Sequence, residues 1–204
     1  MRRMKPSILL DFPESFETER LLIRSPLPGD GPEVYGAIRE SIEDLTRWMA
    51  WPKEHRTVFD SEASARRARV AFLARSELRF HIYLKGTDTL VGIGGLQDVD
   101  WDVPKFEIGY WCRTTYTGNG FITEAVRAIT SLAFDSLDAR RVEIRCDPAN
   151  LKSARVAQRA GFTLEATLEN NEVGTDGTVR DTLIYARVVN GGGGSRTAPT
   201  GARL

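Results

Sequence analysis

The sequence has few cysteines and no excess of charge of either sign. Cysteine occurs only at Cys112 and Cys146, which is too few for a disulfide framework and matches no metal-ligand spacing. We therefore predict two free thiols and no metal site. Lysine plus arginine count 28 and aspartate plus glutamate count 28, so the formal net charge is zero. Such a chain has no overall field that attracts nucleic acid or anionic membrane, and we expect neither as a partner.

Long apolar runs are also missing. The first residues, MRRMKPSILLDFPESF, contain only a brief apolar run, and Asp11 and Pro13 cut it. It is too short for the core of a signal peptide. No segment approaches the roughly 20 apolar residues of a membrane span. These observations predict a cytoplasmic location.

Composition divides the chain into three parts. The segment NGGGGSRTAPTGARL, residues 190–204, is rich in Gly, Ser, Thr and Pro and predicts a flexible tail. Residues 1–17 are expected to form an N-terminal lead. The remaining residues, 18–189, have the length and composition of one soluble domain with a core of its own.

Hydrophobic periodicity predicts an α+β protein with a mixed, mostly antiparallel sheet of about seven strands and about four helices. One βαβ unit lies in the middle of the predicted order, β-α-α-β-β-β-α-β-α-β-β. The expected elements are a strand at Leu21–Arg24, helices over 32–49 and 61–75, a hairpin that turns near 86–89, a strand in PKFEIGYWCR, a helix after Gly120, a strand in RRVEIRCD, a short helix stopped by Gly161, and two closing strands that turn at Asp176 and Gly177.

The loop YTGNG places two glycines directly before a helix. Glycine allows close approach of the backbone to a ligand, and the first amides of a helix favour anions. We predict that the amides of Gly118, Asn119, Gly120, Phe121 and Ile122 converge on a pyrophosphate. A plain tight turn is the alternative, because the loop is neither a Rossmann fingerprint nor a P-loop.

Longer segments carry a more specific signal. FEIGYWCRTTYTGNGFITEAVRAITSLAF closely resembles the acetyl-CoA-binding core of GNAT-superfamily N-acetyltransferases, whose motif Gln/Arg-x-x-Gly-x-Gly/Ala falls on residues 115–120. VEIRCDPANLKSARVAQRAGF is similar to the second half of that site, with Asn150 and Ser153 in the family's Asn-x-x-Ser. TERLLIRSP, LTRWMAWP and DTLIYAR resemble the RimJ/RimL-type branch, which acetylates protein N-termini and small amines. The likeness runs from about Thr18 to Val189.

The resemblance implies a GNAT fold with a sheet splayed in its middle. It also implies direct transfer of an acetyl group from acetyl-CoA to a primary amine. Thr115 stands where the family motif has Gln or Arg, and we expect Arg113 to reach the phosphates instead. Main-chain groups of the strand IGYWC are expected to pair with the pantetheine arm. The cofactor-binding residues predicted in this way are Tyr110, Trp111, Cys112, Arg113, Gly118, Asn119, Gly120, Phe121, Ile122, Asn150 and Ser153.

Two residues are candidates for catalysis. The acceptor amine must be deprotonated before it can attack. At neutral pH this deprotonation costs roughly 1 kcal/mol for an α-amine and roughly 4 kcal/mol for a lysine side chain. Glu107 on the central strand is the candidate base, acting through water, and a salt-bridged strand residue is the alternative. Ser153 is expected to hydrogen-bond the sulfur or the pantetheine arm, or else to face solvent. Many relatives have a tyrosine that protonates the leaving thiolate, and Ala157 stands at that position here. A two-step route through an acetylated Cys146 is a lesser alternative to direct transfer.

The acceptor side is the least defined part of the prediction. Trp48 and Trp51 in LTRWMAWPKEH are expected to wall the acceptor pocket, although core packing would also explain them. His55 and His81 have no predicted role. A non-catalytic acyl-CoA sensor on the same fold and a structural domain without a ligand remain alternatives, and exposed strand edges make a homodimer possible.

Overall fold

The computed structural model describes residues 6–189, within which eight strands form one sheet and five α-helices pack against it. The elements are β1 (Ser15–Glu17), β2 (Leu21–Arg24), α1 (Gly31–Glu40), α2 (Ile42–Thr46), α3 (Val58–Ala74), β3 (Leu78–Leu84), β4 (Leu90–Asp100), β5 (Lys105–Cys112), α4 (Phe121–Ser136), β6 (Arg141–Cys146), α5 (Leu151–Arg159), β7 (Thr163–Val173) and β8 (Val179–Val188). Short 3-10 turns lie at Ser7–Leu9, Trp51–Glu54 and Thr114–Tyr116.

The strands follow the order β1-β2-β3-β4-β5-β6-β8-β7. All neighbours are antiparallel except β5 and β6, which are joined through α4 and run parallel. This pair is the βαβ unit expected from the sequence. The predicted α+β class and mostly antiparallel sheet are therefore confirmed.

Each face of the sheet packs against a different set of helices. Phe106 and Ile108 of β5 are buried in the larger core together with Ile129 of α4. Trp111, on the opposite face of β5, packs in a second core that includes Ile38 of α1. Because side chains alternate along a strand, residues of β5 contribute in turn to the two faces.

Two local details differ from the expectation. The sheet has one additional strand, because residues 15–17 form β1 and pair with β2. The expected helix over 32–49 is interrupted at Ser41, where α1 ends and α2 begins. Ser41 is buried, and its hydroxyl accepts a hydrogen bond from the main-chain N–H of Thr114, 73 residues further along the chain.

Residues 1–5 and the proposed tail at 190–204 lie outside the described residues, so the domain boundaries stay a prediction. Within residues 6–189, none of the helices has the length and apolar composition needed to cross a membrane.

Candidate functional site

Strands β5 and β6 diverge in the middle of the sheet. Their parallel pairing is limited to three positions, Lys105–Glu107 on β5 against Arg141–Glu143 on β6. Strand β5 continues to Cys112 and β6 continues to Cys146 without further pairing between them. We call the space between the two diverging segments the fork.

The fork exposes main-chain groups of β5. On its other side, β5 stays paired with β4 as far as Cys112, and the N–H of Arg113 donates to Val91 O at 2.9 Å. Alternate residues of an antiparallel pair direct their main-chain groups to opposite sides. Tyr110 and Cys112 therefore direct theirs into the fork, where an extended ligand has the chance to pair with them.

The YTGNG loop follows β5 and leads into α4. Gly118 and Gly120 have positive φ angles of 83° and 78°, a conformation that glycine adopts without strain. The first intrahelical bond of α4 is from Glu124 N to Gly120 O. Within residues 6–189, no protein acceptor is in hydrogen-bond contact with the main-chain amides from Gly118 to Thr123. These amides surround a helix N-terminus and suit an anion such as a pyrophosphate.

A charged cluster from the start of the chain fixes this loop. Arg20 Nη1 donates to Asn119 O at 3.1 Å, and the guanidinium stacks 4.6 Å from the ring centre of Phe121. Glu124 accepts hydrogen bonds from Arg20 Nε at 2.7 Å and from Thr18 Oγ1 at 2.6 Å. Arg20 remains 44% exposed, so it is a cation beside the free amides that solvent and ligands can reach.

Arg113, the residue expected at the phosphates, is held by acidic side chains of α1. Its guanidinium contacts Glu40 Oε2 at 2.6 Å and Glu33 Oε1 at 2.9 Å. Glu40 also accepts hydrogen bonds from the main chain and hydroxyl of Thr115. The side chains of residues 113 and 115 are thus tied to α1, and the expected phosphate contact of Arg113 stays a prediction.

A hydrogen bond connects β5 with the first turn of α5 across the fork. Tyr110 Oη lies 2.9 Å from Ser153 Oγ. Asn150 is the N-cap of α5, and its Oδ1 accepts from Ser153 N at 3.1 Å. The structure therefore brings three of the predicted residues together beside the fork.

A cavity of about 930 Å³ opens on the face of the sheet that carries Glu107. Burial raises the pKa of Glu107 to about 7, although a hydrogen bond from Gln97 and the charge of Arg145 oppose this increase. A carboxylate with that pKa can accept a proton near neutral pH. Among the predicted residues, the cavity is lined by Trp48, Trp51, Glu107, Tyr110, Trp111, Cys146, Asn150 and Ser153.

Aromatic side chains form one wall of this cavity. The rings of Trp51 and Trp111 lie 6.1 Å apart between centres, and Trp51 also contacts His55 at 5.4 Å. His81 lines the cavity as well, and its Nδ1 lies 2.9 Å from the buried carboxylate of Asp30. Burial lowers the pKa of both histidines, so we expect their neutral forms at pH 7.

The two cysteines are free, as the spacing predicts. Burial raises the pKa of Cys112 to about 11 and also raises the pKa of Cys146. Both thiols therefore stay protonated at neutral pH, which makes them poor nucleophiles.

Several residues of the site were not expected from the sequence. Arg20 and Glu124 lie in segments that resemble the family, but the resemblance assigns neither a role, and they contact each other from 104 positions apart in the chain. Gln97 lies outside these segments and contacts Glu107 on the neighbouring strand. The alternation along β5 places Glu107 on one face of the sheet. It would indicate a contact with Gln97 only together with the register of β4 against β5. The segment TERL precedes the first strand, but nothing in it indicates a contact with residue 119.

Comparison with known proteins assigns the fold to a family. The family model of the acetyltransferase (GNAT) domain matches residues 20–163. The ribosomal-protein-serine acetyltransferase of Escherichia coli (strain K12) is 28% identical over 77% of this chain and 86% of its own length. The uncharacterized N-acetyltransferase p20 of Bacillus licheniformis is 33% identical over 46% of this chain. The chain spans about half the length of p20, since 53% of that relative is covered.

A solved structure agrees over most of the chain. The microcin C7 self-immunity acetyltransferase MccE, described in complex with acetyl-CoA and AMP, superposes with a TM-score of 0.81 at 26% identity. The match covers 87% of this chain and 98% of that chain.

Proposed function

The chain belongs to the GNAT acetyltransferase family, and we propose that it transfers the acetyl group of acetyl-CoA directly to a primary amine. The fork between β5 and β6 is the observation that carries this proposal. It offers unpaired main-chain groups at Tyr110 and Cys112 to an extended ligand, and a cavity with a carboxylate lies beside it. MccE, which shares the fold, has been solved with acetyl-CoA.

The free amides at the start of α4 would hold the diphosphate of the coenzyme. This position would direct the rest of the molecule along β5, because the loop begins at Tyr116, shortly after that strand ends at Cys112. An amide of β5 facing the fork would then polarise the thioester carbonyl, where negative charge develops during attack. Asn150 and Ser153 would contact the pantetheine arm from the opposite side of the fork.

Glu107 is proposed as the base that accepts a proton from the attacking amine. Its pKa of about 7 is close to the ~7.8 of an α-amine, so transfer between them is nearly balanced at neutral pH. Lysine side chains, with pKa values near ~10.4, are harder to deprotonate. We therefore propose a peptide or protein N-terminus, or a small molecule with an amine of similar basicity, as the acceptor. Trp48 and Trp51 would form the wall against which it binds.

A non-catalytic acyl-CoA sensor is the second candidate. It is favoured by Thr115, which lacks the side chain usual at the first position of the loop motif and is engaged with Glu40. Such a protein would bind acetyl-CoA without transferring its acetyl group to an amine.

Release of free coenzyme A thiol separates the two functions. We would incubate the purified chain with acetyl-CoA and a panel of N-terminal peptides, polyamines and aminoglycosides, and monitor thiol formation. An enzyme shows acceptor-dependent release, and Glu107→Gln should lower kcat with little change in KM for acetyl-CoA. A rise of the melting temperature with acetyl-CoA but no thiol release with any acceptor would identify the sensor.

A further inference from the structure

The hydroxyl of Tyr110 reaches across the fork and lies within hydrogen-bond distance of two oxygen atoms of Ser153. Tyr110 Oη lies 2.9 Å from Ser153 Oγ and 3.1 Å from the main-chain oxygen of Ser153. Burial raises the pKa of Tyr110, so this hydroxyl keeps its proton throughout the physiological range. The main-chain oxygen also belongs to the hydrogen-bond ladder of α5, where the N–H of Ala157 is its helical partner.

Donation to Oγ has a consequence for the serine proton. If Tyr110 donates to Ser153 Oγ, the hydroxyl hydrogen of Ser153 cannot point back at Tyr110. This hydrogen is then free to face the fork. If Tyr110 donates to the main-chain oxygen instead, the serine hydroxyl can turn its hydrogen toward Tyr110. The first arrangement aims a donor at a ligand, and the second conceals it.

We propose that Tyr110 is a positioning residue, which donates to Ser153 Oγ and so directs the Ser153 hydroxyl at the sulfur of the acetyl donor. This inference rests on the proposed function. Ser153 would be the residue that touches the reacting group, and Tyr110 would act only through it.

Further contacts of Ser153 suit such a role. Its main-chain N–H is fixed by Asn150 Oδ1 at 3.1 Å, so the hydroxyl starts from a defined position on the first turn of α5. Ser153 also lies near a sulfur of the protein, because its side chain acts against the increase that burial causes in the pKa of Cys146. Tyr110, Cys146 and Ser153 all line the cavity beside the fork, where a thioester would lie.

The chemistry needs only a hydrogen bond from Ser153, without transfer of its proton. The amine nitrogen bonds to the carbonyl carbon, and its surplus proton passes to Glu107. The carbon–sulfur bond then breaks and its electron pair stays on the sulfur, which leaves as a thiolate stabilised by the Ser153 hydroxyl. A serine hydroxyl is a weaker acid than a thiol, so the thiolate takes its proton from solvent after it has left.

A cycle of variants distinguishes this role from simple bridging of β5 and α5. We would measure kcat and KM for acetyl-CoA in the wild type, Tyr110→Phe, Ser153→Ala and the double variant. The loss of one hydrogen bond to a charged group should lower kcat about tenfold in each single variant. Because Tyr110 acts through Ser153, adding Tyr110→Phe to Ser153→Ala should lower kcat no further. KM for acetyl-CoA should change less than about twofold, because the contact strengthens in the transition state.

Tyr185→Phe provides the matched control. Tyr185 is buried on β8, its hydroxyl has a long 3.5 Å contact with Gln158, and it does not line the cavity. This variant should keep wild-type kcat, and melting temperatures of all variants report any general loss of structure.

Each outcome decides the inference. Losses of kcat that multiply in the double variant, an unchanged kcat in Tyr110→Phe, or a change confined to KM would overturn it and leave the acetyltransferase function intact. A wild type that binds acetyl-CoA but acetylates no amine would instead overturn the proposed function, and this inference with it.

Discussion

The side-chain amide of Gln97 donates a hydrogen bond to the carboxylate of Glu107, with 3.0 Å between Nε2 and Oε1. The two residues face each other across β4 and β5, at the rim of the cavity. The bond favours the charged carboxylate, whereas burial favours the neutral acid and has the larger effect.

The first prediction concerns the pH dependence of acetyl transfer. Glu107 must be deprotonated to accept a proton, so kcat/KM should rise with pH and level off above about 7. Gln97→Met removes the hydrogen bond that lowers this pKa, and the rising limb should shift to higher pH. The measurement is a pH–rate profile with an acceptor whose own pKa lies well below 7. An unshifted limb in Gln97→Met would exclude Glu107 as its source.

The second prediction concerns stability. The pKa of Glu107 is raised from 4.5 to about 7 in the folded protein, so the folded state binds this proton more tightly than the unfolded chain. The resulting stabilisation is fully present below pH 4.5 and is lost as pH rises through 7. Relative to Glu107→Gln, the free energy of unfolding should fall by on the order of 3 kcal/mol between pH 4 and pH 8. Urea titrations of both proteins at several pH values measure this, and parallel curves would contradict it.

The third prediction compares two arginines near the loop. Arg20 is exposed beside the free amides, whereas Arg113 is engaged by Glu33 and Glu40. We expect Arg20→Gln to raise KM for acetyl-CoA by roughly tenfold, since a charged hydrogen bond is worth about 1.5 kcal/mol or more. The effect should shrink at high salt.

Arg113→Gln and Arg66→Gln complete this comparison. Arg66 forms an exposed pair with Glu62 on α3 and should leave KM unchanged. A larger increase of KM in Arg113→Gln than in Arg20→Gln would instead support the expectation that Arg113 contacts the phosphates in place of Thr115.

The fourth prediction concerns Cys146. Because burial raises its pKa, the thiol is protonated at neutral pH and unsuited to form an acetylated intermediate. Cys146→Ala should therefore retain kcat within about threefold, a change of less than roughly 1 kcal/mol. Mass spectrometry of the wild type after acetyl-CoA alone should show no acetyl adduct. A covalent adduct on Cys146 together with an inactive variant would establish the two-step route.

The fifth prediction concerns the aromatic wall. Trp51 contacts Trp111 and His55 and lines the cavity, so its removal should weaken the acceptor more than the coenzyme. We expect Trp51→Leu to raise KM for the acceptor by roughly three- to tenfold, as the loss of about 0.5–1.5 kcal/mol of aromatic contact implies. KM for acetyl-CoA serves as the internal control. Equal changes in both constants would indicate a structural role for Trp51.

Features with a local cause were accessible from the sequence. The alternation in FEIGYWC sets Phe106 and Ile108 on one face and Glu107 on the other, and the structure has this arrangement. The strand β5, the loop and α4 adjoin in the chain, so their order alone places the loop at the N-terminus of the helix. The strength of this signal comes from periodicity and glycine placement, both of which are properties of short segments.

Features with a distant cause were not accessible. Ser41, where α1 ends, accepts a hydrogen bond from Thr114, and Arg20 donates to Asn119, 99 residues away. Such pairs form only once strand order and register are set. Strand β1 was missed for another reason, because a segment of three residues is too short to show a period.

The position of the fork also affects the tendency of the protein to aggregate. Unpaired strand edges at the margin of a sheet invite pairing with other chains and thus aggregation. Here the free edge of β5 lies in the interior of the sheet, with β4 on one side and β6 and β8 beyond the other. A second folded molecule cannot lay a strand against it without separating these neighbours, whereas a slender ligand can enter. The interior position of this unpaired edge should therefore limit strand pairing between copies of the protein.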